Sequence, residues 1–529
     1  MRASARLSVR AISTADFAIY DQILPRESTL LDLLERIDWA SFDELLLSHY
    51  KKSGEGQPPY PPLILLKMEF LRFFYSMSQR VCVERCQTDL LFKYFLQLPV
   101  AAKMVDQSTL TRFRNRLGED GVRGIFDRLV AQAREKGLVK DNLRLKDATH
   151  ILANVAIPSA LGLFSQLRNR MLKEIEAWAP EQAASFRLEL QTVRQETETQ
   201  DDTIKLSSRV AMVTDLLEWM RAIPQPQVTG QPQVERKAVE RWARLQKTIE
   251  LAEKILNDTK FPTHGDKTRS VIDPDVRRGK HGDYYDGYML DTMMDADSGL
   301  ITAMDVLPAN GEEAANAIAL IQHEELVHGN NIDMLSMDGI GFNGEVLEKL
   351  EQAADGPALV VITPPTQFNQ VPGFESSQFE LTGDGQQVRC PEGHLSGSGK
   401  TYKQHPNSTF FQFSAKTCRD CPLLAACHPS MTEASKTGRR VNKNRYEHAY
   451  DRARQRSKTE EYAGVRKRHS AIERKINEIA RHNKGRRAKY YGRAKVAIQE
   501  LFIGIVINAK RIIKLLSQPR NHCALACTD

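Results

Sequence analysis

Long apolar stretches are absent from this sequence. No uncharged run is long enough to span a bilayer, and the opening residues, MRASARLSVRAISTADF, lack the apolar segment of a secretory signal. We therefore expect a soluble, cytoplasmic protein with no membrane partner. The G-x-S-x-G, P-loop and Rossmann fingerprints are also missing, which argues against a nucleophile-elbow hydrolase and against a nucleotide cofactor.

Cysteine is scarce, with eight residues in a chain of 529. In a reducing compartment, uneven and clustered spacing indicates metal binding or packing before disulfides. The segments CPEGH and CRDCPLLAAC give a C-x27-C-x2-C-x5-C pattern that could close a tetrahedral structural Zn²⁺ site, in which His394 or His428 could replace one thiolate. The ligands of this site would be Cys390, Cys418, Cys421 and Cys427. The other four are assigned to core packing (Cys82, Cys86) or to a frayed tail (Cys523, Cys527).

Basic residues are concentrated toward the carboxyl end of the chain. The formal net charge is +7, yet residues 437–500 hold 20 Lys plus Arg against 7 Asp plus Glu, a surplus of 13 that leaves −6 for the rest. A local basic patch usually marks a polyanionic partner, whereas an ordinary solvated helical face intersperses both signs. Residues 466–492 hold ten cations and only two acids, Glu473 and Glu478.

The amino-terminal part of the chain is predicted to be helical. Apolar faces recur between polar joints over residues 28–135, as in YPPLILLKMEFLRFFYSMS. In DQSTLTRFRNRLG, Asp106 or Ser108 can cap a short helix that displays Arg112, Arg114 and Arg116. A helix of this kind is suited to a DNA groove, and the alternative is a structural helix with exposed arginines.

Strands and helices alternate after residue 140, which predicts an α/β arrangement with both hairpin and crossover connections. LRLKDATHILANV predicts a strand, residues 156–262 a helical insertion, and YYDGYMLDTMMDADSGLITAMDVLPAN a hairpin that turns at residues 297–299. A helix is expected near 311–325. NIDMLSMDGIGFNGEVLEKL then predicts a short strand, a Gly-containing turn and a helix capped by Asn343, and PALVVITPP predicts a further buried strand over 357–365.

Two carboxylates are expected at the carboxyl ends of strands, where sheets of this kind collect ligands: Asp147 and Asp338. With a third carboxylate from a helix, they could hold a pair of Mg²⁺ ions, which prefer oxygen ligands. Such a pair promotes in-line phosphodiester displacement. The alternative is that each Asp is a strand-end turn residue. Rival ligands are Asp295, Asp333 and Glu478.

Glu473 is the candidate for the third carboxylate. Ile472, Ile476 and Ile479 define the buried face of its helix, and Glu473 lies closer to the boundary of that face than Glu478 does. The alternative is an ion pair between Glu473 and neighbouring arginines, which would contribute little to stability if exposed.

Three blocks of the sequence resemble the catalytic blocks of bacterial insertion-sequence DDE transposases. They are LKDATHILAN around Asp147, MDGIGFNGEVLEKL from Asp338, and RHSAIERKINEIARHNKGRRAKYYGRAKVAIQELFIGIVINAKRIIKLL. The helical segments YPPLILLKMEFLRFFYSMSQR and DQSTLTRFRNRL are similar to the amino-terminal domain of these elements, and DPDVRRGKHGDYYDGYMLDTMMDADSGLITAMDVLPAN is similar to their hairpin block. The resemblance covers most of the chain except roughly residues 156–262.

The resemblance implies a fold and a domain order. The fold would be α/β, with a ribonuclease-H-like mixed sheet and flanking helices, an amino-terminal all-helical DNA-binding domain and two insertions. The expected boundaries are 1–140 for the helical domain; 141–155, 263–370 and 446–518 for the catalytic core; 156–262 and 371–445 for the helical and Cys-bearing insertions; and 519–529 for the tail. The setting would be the bacterial cytoplasm, at the nucleoid.

The resemblance also implies an activity. The enzyme would cut at transposon ends and join the free 3′-hydroxyl to target DNA, using Mg²⁺ or Mn²⁺, with Asp147, Asp338 and Glu473 as first, second and third acid. Its partners would be the double-stranded DNA of terminal inverted repeats and target, and further copies of itself in a synaptic homo-oligomer. The residues expected to contact DNA are Arg112, Arg114, Arg116, Arg466, Arg474, Lys484, Arg486, Arg487 and Lys489.

The sequence departs from the family pattern at two places. Residues 339–342, Gly-Ile-Gly-Phe, put the aromatic further from the Asp than the commoner Asp-x-Gly-Tyr form. Near Glu473, His469 stands where Arg is expected and Ala480 where Lys is expected, so the basic contact could come from Arg466, Arg474 or Lys484. Two alternatives stay open, a transposase-derived DNA-binding protein without catalysis and a metal-dependent nuclease without joining.

Overall fold

A computed structural model describes residues 12–50, 59–226, 232–260, 265–352, 359–365, 373–432 and 435–517. The chain divides into two compact units. The first unit comprises Met1–Lys140, Asp147–Glu312 and Ile472–Asp529, and the second unit comprises Asp141–Lys146 and Glu313–Ala471. The tail with Cys523 and Cys527 lies outside the described residues.

The first unit opens with the helices that the apolar periodicity predicted. Most start at a short polar side chain that accepts a hydrogen bond from the first turn, such as Ser28, Ser78 and Asp89, and one starts at Pro62. The helices are α1 (Thr14–Ile23), α2 (Thr29–Arg36), α3 (Asp43–Ser48), α4 (Pro62–Phe74), α5 (Gln79–Thr88), α6 (Leu90–Phe95) and α7 (Gln107–Glu135).

Helix α7 is longer than the short helix predicted at its start. Asp106 caps it, with the Asp106 side chain accepting from the backbone N–H of Ser108. Gly118 has φ of +65° and ψ of −168°, and the helix resumes beyond this kink. Glycine adopts positive φ without a Cβ clash, so the residue read as the helix end is instead a bend within it.

The remaining helices of the first unit follow two patterns. Four helices fill the predicted helical insertion and bury a core of their own, which includes Phe164 and Leu216: α8 (Ala160–Trp178), α9 (Pro180–Thr197), α10 (Asp202–Arg221) and α11 (Pro232–Lys260). The last helix, α18 (Arg493–Ser517), is buried on nearly all sides from Val496 to Ala509. It packs on α4 and α7, where the rings of Phe502 and Phe73 stack 5.1 Å apart.

The strands of the first unit include two antiparallel pairs that share one long strand. Strand β3 (Asp283–Asp295) pairs with β2 (Arg277–His281) through its first residues and with β4 (Ile301–Pro308) through the rest, and the predicted turn at residues 297–299 is confirmed. Strand β1 (Leu143–Leu152), whose residues from Asp147 onward belong to this unit, lies beside β3. Strand β2 was not predicted, because RRGKH has no apolar alternation.

The second unit contains a parallel arrangement. Residues 143–145 of β1 pair with β5 (Met334–Ser336), which pairs with β6 (Val360–Ile362). The helices around them include the predicted ones: α12 (Glu313–His328), α13 (Gly344–Glu351), α16 (Glu447–Arg456) and α17 (Glu460–Asn477), whose residues from Ile472 onward belong to the first unit. Asn343 caps α13, as the sequence predicted. Residues 357 and 358 of the predicted last strand lie outside the described residues.

The Cys-bearing segment of the second unit has short elements around a small aromatic core of Phe379, Phe411 and Phe413. Its elements are β7 (Glu380–Leu381), β8 (Val388–Arg389), β9 (Lys400–Tyr402), β10 (His405–Gln412), α14 (Ala415–Arg419), α15 (Leu424–Cys427) and β11 (Arg440–Asn444). Together, the two units make a mixed α/β protein with a helical amino-terminal region, as predicted. The finer ribonuclease-H-like assignment stays a prediction.

Candidate active site

Asp147 lies within a strand and not at its end. The prediction was wrong on this point, because β1 continues to Leu152 where β3 lies beside it. Pairing of β1 with β5 stops at Leu145, so Asp147 still follows the last paired residue on that edge. Its side chain is half-buried, and Oδ1 accepts from the backbone N–H of Ala148 at 2.8 Å.

Asp338 lies just beyond a strand in the second unit, as predicted. Strand β5 ends at Ser336, and Asp338 caps the 3₁₀ turn Gly339–Gly341 by accepting from the backbone N–H of Ile340 at 3.0 Å. The Thr363 hydroxyl donates to the Asp338 carbonyl at 2.6 Å. The side chain is exposed, so the capping role leaves the carboxylate open to solvent.

Two residues of α17 contact the end of β5 within the second unit. Arg466 Nη1 donates to the Met337 carbonyl at 2.7 Å, and His469 Nδ1 lies 3.0 Å from Ser336 Oγ. His469 is only 3% exposed, and this burial, with the nearby Arg466, lowers its pKa to about 4. A neutral imidazole therefore stands where the resembled pattern has Arg, and Arg466 is a cation that hydrogen-bonds the chain just after β5. No pattern in the sequence pointed to Ser336, the hydrogen-bond partner of His469.

Glu473 and Glu478 differ in their surroundings. The predicted buried face of Ile472, Ile476 and Ile479 is confirmed. Glu473 comes one helical turn after His469, is exposed, and makes no ion pair with any described residue. Glu478 begins a π-helical turn, and its Oε2 accepts from Lys475 Nζ at 2.8 Å. The ion-pair alternative therefore describes Glu478 and not Glu473.

The two rival aspartates lie in different surroundings. Asp295 is fully buried at the β3–β4 turn, where Oδ2 accepts from the Ser298 hydroxyl at 2.6 Å and from the Ser298 backbone N–H at 2.8 Å. Asp333 is exposed and bonds through its backbone to Asp141 and Val360.

A basic loop, residues 483–492, joins the π-helical turn to α18 in the first unit. Its backbone pairs with β1, since Leu152 donates to the Arg486 carbonyl and Ala488 donates to the Leu152 carbonyl, both at 2.9 Å. Gln499 of α18 anchors it by accepting from the Lys489 backbone at 2.7 Å. The loop is fixed in this way while Lys484 and Arg487 stay exposed. Lys489 is exposed along part of its side chain, but its Nζ lies 5.4 Å from the centre of the buried Phe73 ring and burial lowers its pKa.

The three arginines of α7 do not share one face. Arg112 and Arg116 are exposed four residues apart, whereas Arg114 is 6% exposed, forms a salt bridge with Glu69 and donates to Gln79 Oε1 at 2.9 Å. The expectation that the helix displays all three was wrong for Arg114. Residues two apart on a helix point about 200° from each other, so Arg114 faces the core.

Comparison with known families agrees with these elements. Residues 18–116 match the family described as Transposase domain (DUF772), and residues 389–513 match the family described as Transposase DDE domain. Together, these two matches indicate an insertion-sequence DDE transposase. The second match includes Glu473, the four clustered cysteines and the basic loop, while Asp147 and Asp338 lie outside it. No solved structure matches the chain.

The clustered cysteines of this transposase lie together in the second unit. Cys390, Cys418, Cys421 and Cys427 line one cavity of about 20 Å³, as do His394 and His428. The Arg439 backbone donates to Cys418 Sγ at 3.4 Å, and burial raises the pKa of the Cys427 thiol. Cys82 and Cys86 are fully buried in the first unit, as their predicted packing role requires.

None of the helices in the described part of the chain is long and apolar enough to cross a membrane.

Metal coordination is not preformed in the described residues. No three of their His, Cys, Asp or Glu side chains are grouped so as to hold an ion. The donor chemistry is nevertheless suited to two different metals. Carboxylate oxygens suit Mg²⁺, and four thiols around one small cavity suit Zn²⁺.

Proposed function

We propose that this transposase cleaves phosphodiester bonds at transposon ends and joins the resulting 3′-hydroxyl to target DNA by in-line displacement. The residues that carry the chemistry in this proposal are Asp147, Asp338 and Glu473. The substrates are the double-stranded terminal inverted repeats and the target DNA.

One set of contacts within the second unit supports the choice of these three acids. Leu145 and Ser336 are register partners in parallel strands, and Asp147 and Asp338 each follow their partner by two residues. His469 contacts the same Ser336, and Glu473 follows it by one helical turn. The support is thus one of chain position, because an acid follows each of the three contacting residues, Leu145, Ser336 and His469, by two to four positions.

The proposed cofactor is Mg²⁺ or Mn²⁺, held by these three carboxylates. When bound, a pair of such ions activates a water or a 3′-hydroxyl and stabilises the leaving oxygen. Arg466 holds the β5 end through the Met337 carbonyl, and the uncharged His469 hydrogen-bonds Ser336 without adding a second cation there.

The basic residues are proposed to hold the phosphate backbone. Arg112 and Arg116 of α7 and Lys484, Arg487 and Lys489 of the basic loop are exposed and able to contact phosphates, which position DNA without specifying sequence. Pairing of two transposon ends requires more than one copy of the chain, so we propose a homo-oligomer in the synaptic complex.

The four clustered thiols are proposed to hold one structural Zn²⁺, with His394 or His428 as substitutes for one of them. The support is that the four thiols, which are soft donors suited to Zn²⁺, line the same cavity. Metal analysis of the purified protein should find about one zinc per chain, and Cys421→Ser should lower that content while Cys82→Ser should not. A zinc-free wild type would contradict the proposal.

The first experiment is Mg²⁺-dependent cleavage of DNA that carries the element's own ends, comparing wild type with Glu473→Gln and Glu478→Gln. We expect Glu473→Gln to reduce cleavage by about a thousandfold or more with DNA binding intact, and Glu478→Gln to retain cleavage. Equal activity of wild type and Glu473→Gln would exclude Glu473 as the third acid.

Two further outcomes separate the alternatives. Binding of the ends without cleavage in either Mg²⁺ or Mn²⁺ would favour a DNA-binding protein that has lost catalysis. Cleavage without joining of pre-cut ends to a target plasmid would favour a nuclease.

A further inference from the structure

The tip of the β2–β3 hairpin, in the first unit, presents an exposed aromatic ring between two cations. Tyr284 is 70% exposed. The register pairs Lys280 with Tyr284 and Arg278 with Asp286, so these four side chains lie on one face. Lys280 Nζ lies 5.7 Å and the Arg278 guanidinium carbon 5.8 Å from the centre of the Tyr284 ring.

The charge of this face is positive. Its one carboxylate, Asp286, is already paired, accepting from Arg269 Nε at 2.7 Å and from Arg278 Nη2 at 3.4 Å. Three cations therefore face one acid. The other acid near the tip, Asp283, is the register partner of His281 and belongs to the opposite face.

Two glycines allow the hairpin to pack directly against neighbouring backbone. A Cβ on Gly287 would lie 1.9 Å from the Ile151 carbonyl oxygen, and a Cβ on Gly279 would lie 2.3 Å from the Ala309 carbonyl oxygen. At Gly279 and Gly287, both strands of the hairpin thus approach the neighbouring backbone more closely than a residue with a Cβ would allow. The tip therefore extends from closely packed strands, so less conformational entropy is lost when a ligand binds to it.

The opposite face connects the hairpin to the basic loop. The His150 ring lies 5.4 Å from the His281 ring and 5.0 Å from the Tyr285 ring, and Arg486 Nη1 lies 2.8 Å from His150 Nε2. His150 thereby joins the hairpin to the loop that carries Lys484 and Arg487. Arg486 of the basic loop therefore reaches the hairpin, through His150, on the face opposite Tyr284.

We propose that the hairpin tip binds an unpaired nucleotide of the DNA substrate, with Tyr284 stacking on the base and Arg278 and Lys280 holding the flanking phosphates. The proposal rests on the proposed function only in taking DNA as the ligand. Exposed aromatics beside cations are the means by which proteins bind unpaired bases without sequence preference. The neighbouring basic loop would hold the adjoining duplex.

The test is DNA binding by the full chain in EDTA, measured by fluorescence anisotropy. One probe is a blunt duplex of the element's terminal sequence, and the other is the same duplex with an oligo-dT 3′ extension. We expect Tyr284→Ala to weaken binding of the extended probe about tenfold and binding of the blunt probe less than about twofold. Tyr284→Phe should bind like wild type, because the ring face is kept.

The matched control is Tyr402→Ala, which removes another exposed tyrosine with an arginine, Arg440, 6.0 Å from its ring. It should leave both affinities unchanged. The double variant Arg278→Gln with Lys280→Gln should bind both probes more weakly, and its binding should depend less on salt concentration. Thermal melting of each variant checks that the fold is intact, as the exposure of all four altered side chains predicts.

The outcomes separate this proposal from the proposed function. If Tyr284→Ala binds the extended probe as wild type does, or loses both probes equally, the stacking role is overturned while the transposase proposal stands. A wild type that binds neither probe would overturn both. Because EDTA removes divalent ions, a defective cleavage centre would not alter these affinities.

Discussion

Two regions of the first unit bury a carboxylate, and they treat it in opposite ways. Among the amino-terminal helices, Glu69 is fully buried between Arg72, at 2.7 Å, and Arg114. In α18, Glu500 is 1% exposed and Oε2 has no hydrogen-bond partner in the described part of the chain, while Oε1 accepts from its neighbour Gln499 at 2.9 Å.

The difference shows that local charge alone does not reveal what a charged residue does. Arginines hold Glu69, whereas burial raises the pKa of Glu500 to about 8, so that this side chain is mostly protonated at neutral pH. The exposed Glu473 is neither paired nor buried, which is the state a metal-binding carboxylate needs before its ion arrives. Three glutamates in one unit thus stand in three different environments, one paired, one buried without a charge partner and one exposed.

The largest effect should come from breaking the paired site. Glu69→Ala leaves two buried guanidinium groups without their carboxylate, and we expect it to reduce the free energy of unfolding by about 3–5 kcal/mol. Urea denaturation measures this. The matched control is Glu84→Ala, which removes an exposed partner of Arg80 at 2.8 Å and should cost about 0.5 kcal/mol or less. Similar losses for both variants would refute the distinction.

The second-largest effect should be an increase in the free energy of unfolding, caused by Glu500→Gln. The folded state holds the Glu500 proton up to about pH 8, whereas the unfolded chain releases it near the ordinary value of 4.5, so wild-type stability falls as pH rises between these values. Glu500→Gln removes that loss. We expect the variant to be more stable than wild type by about 3 kcal/mol at pH 7, and by little at pH 4.5.

Denaturation at the two pH values checks this expectation. Glu27→Gln, an exposed control in the same unit, should change the free energy of unfolding by less than about 0.5 kcal/mol at either pH. A pH-independent difference between wild type and Glu500→Gln would mean that the wild-type carboxyl is already ionised when folded.

The smallest effect on stability should come from the basic loop. Lys484→Gln with Arg487→Gln alters exposed side chains and should change the free energy of unfolding by less than about 0.5 kcal/mol. DNA affinity should fall, and the slope of log K against log salt should become shallower by about 0.9 for each phosphate contact removed. A large stability loss with unchanged DNA binding would reassign these cations to structure.

The sequence predicted those features that depend on short-range pattern. Asn343 and Asp106 cap their helices, the β3–β4 turn lies at residues 297–299, and the isoleucines at 472, 476 and 479 face inward. Each depends on residues within a turn or two of one another, where side-chain identity and periodicity act directly.

The errors arose where a distant partner decides the structure. Strand β2 has a polar sequence and exists because β3 supplies its hydrogen bonds. Asp147 is inside β1 because β3 lies beside residues beyond it, and the buried state of Arg114 depends on Glu69, 45 positions earlier. Tyr284 gave no signal in the sequence, since only the hairpin register sets it between Lys280 and Arg278.

By itself, the sequence determined the family, the alternation of elements, the three candidate acids and the concentration of cations near the carboxyl end. These follow from residue type, order and spacing, which no folding step can change. Tertiary structure alone decided which charges are paired, which are neutral and which are exposed. Burial and long-range contacts set the electrostatic environment of each group, and they bring together residues that are far apart in the chain.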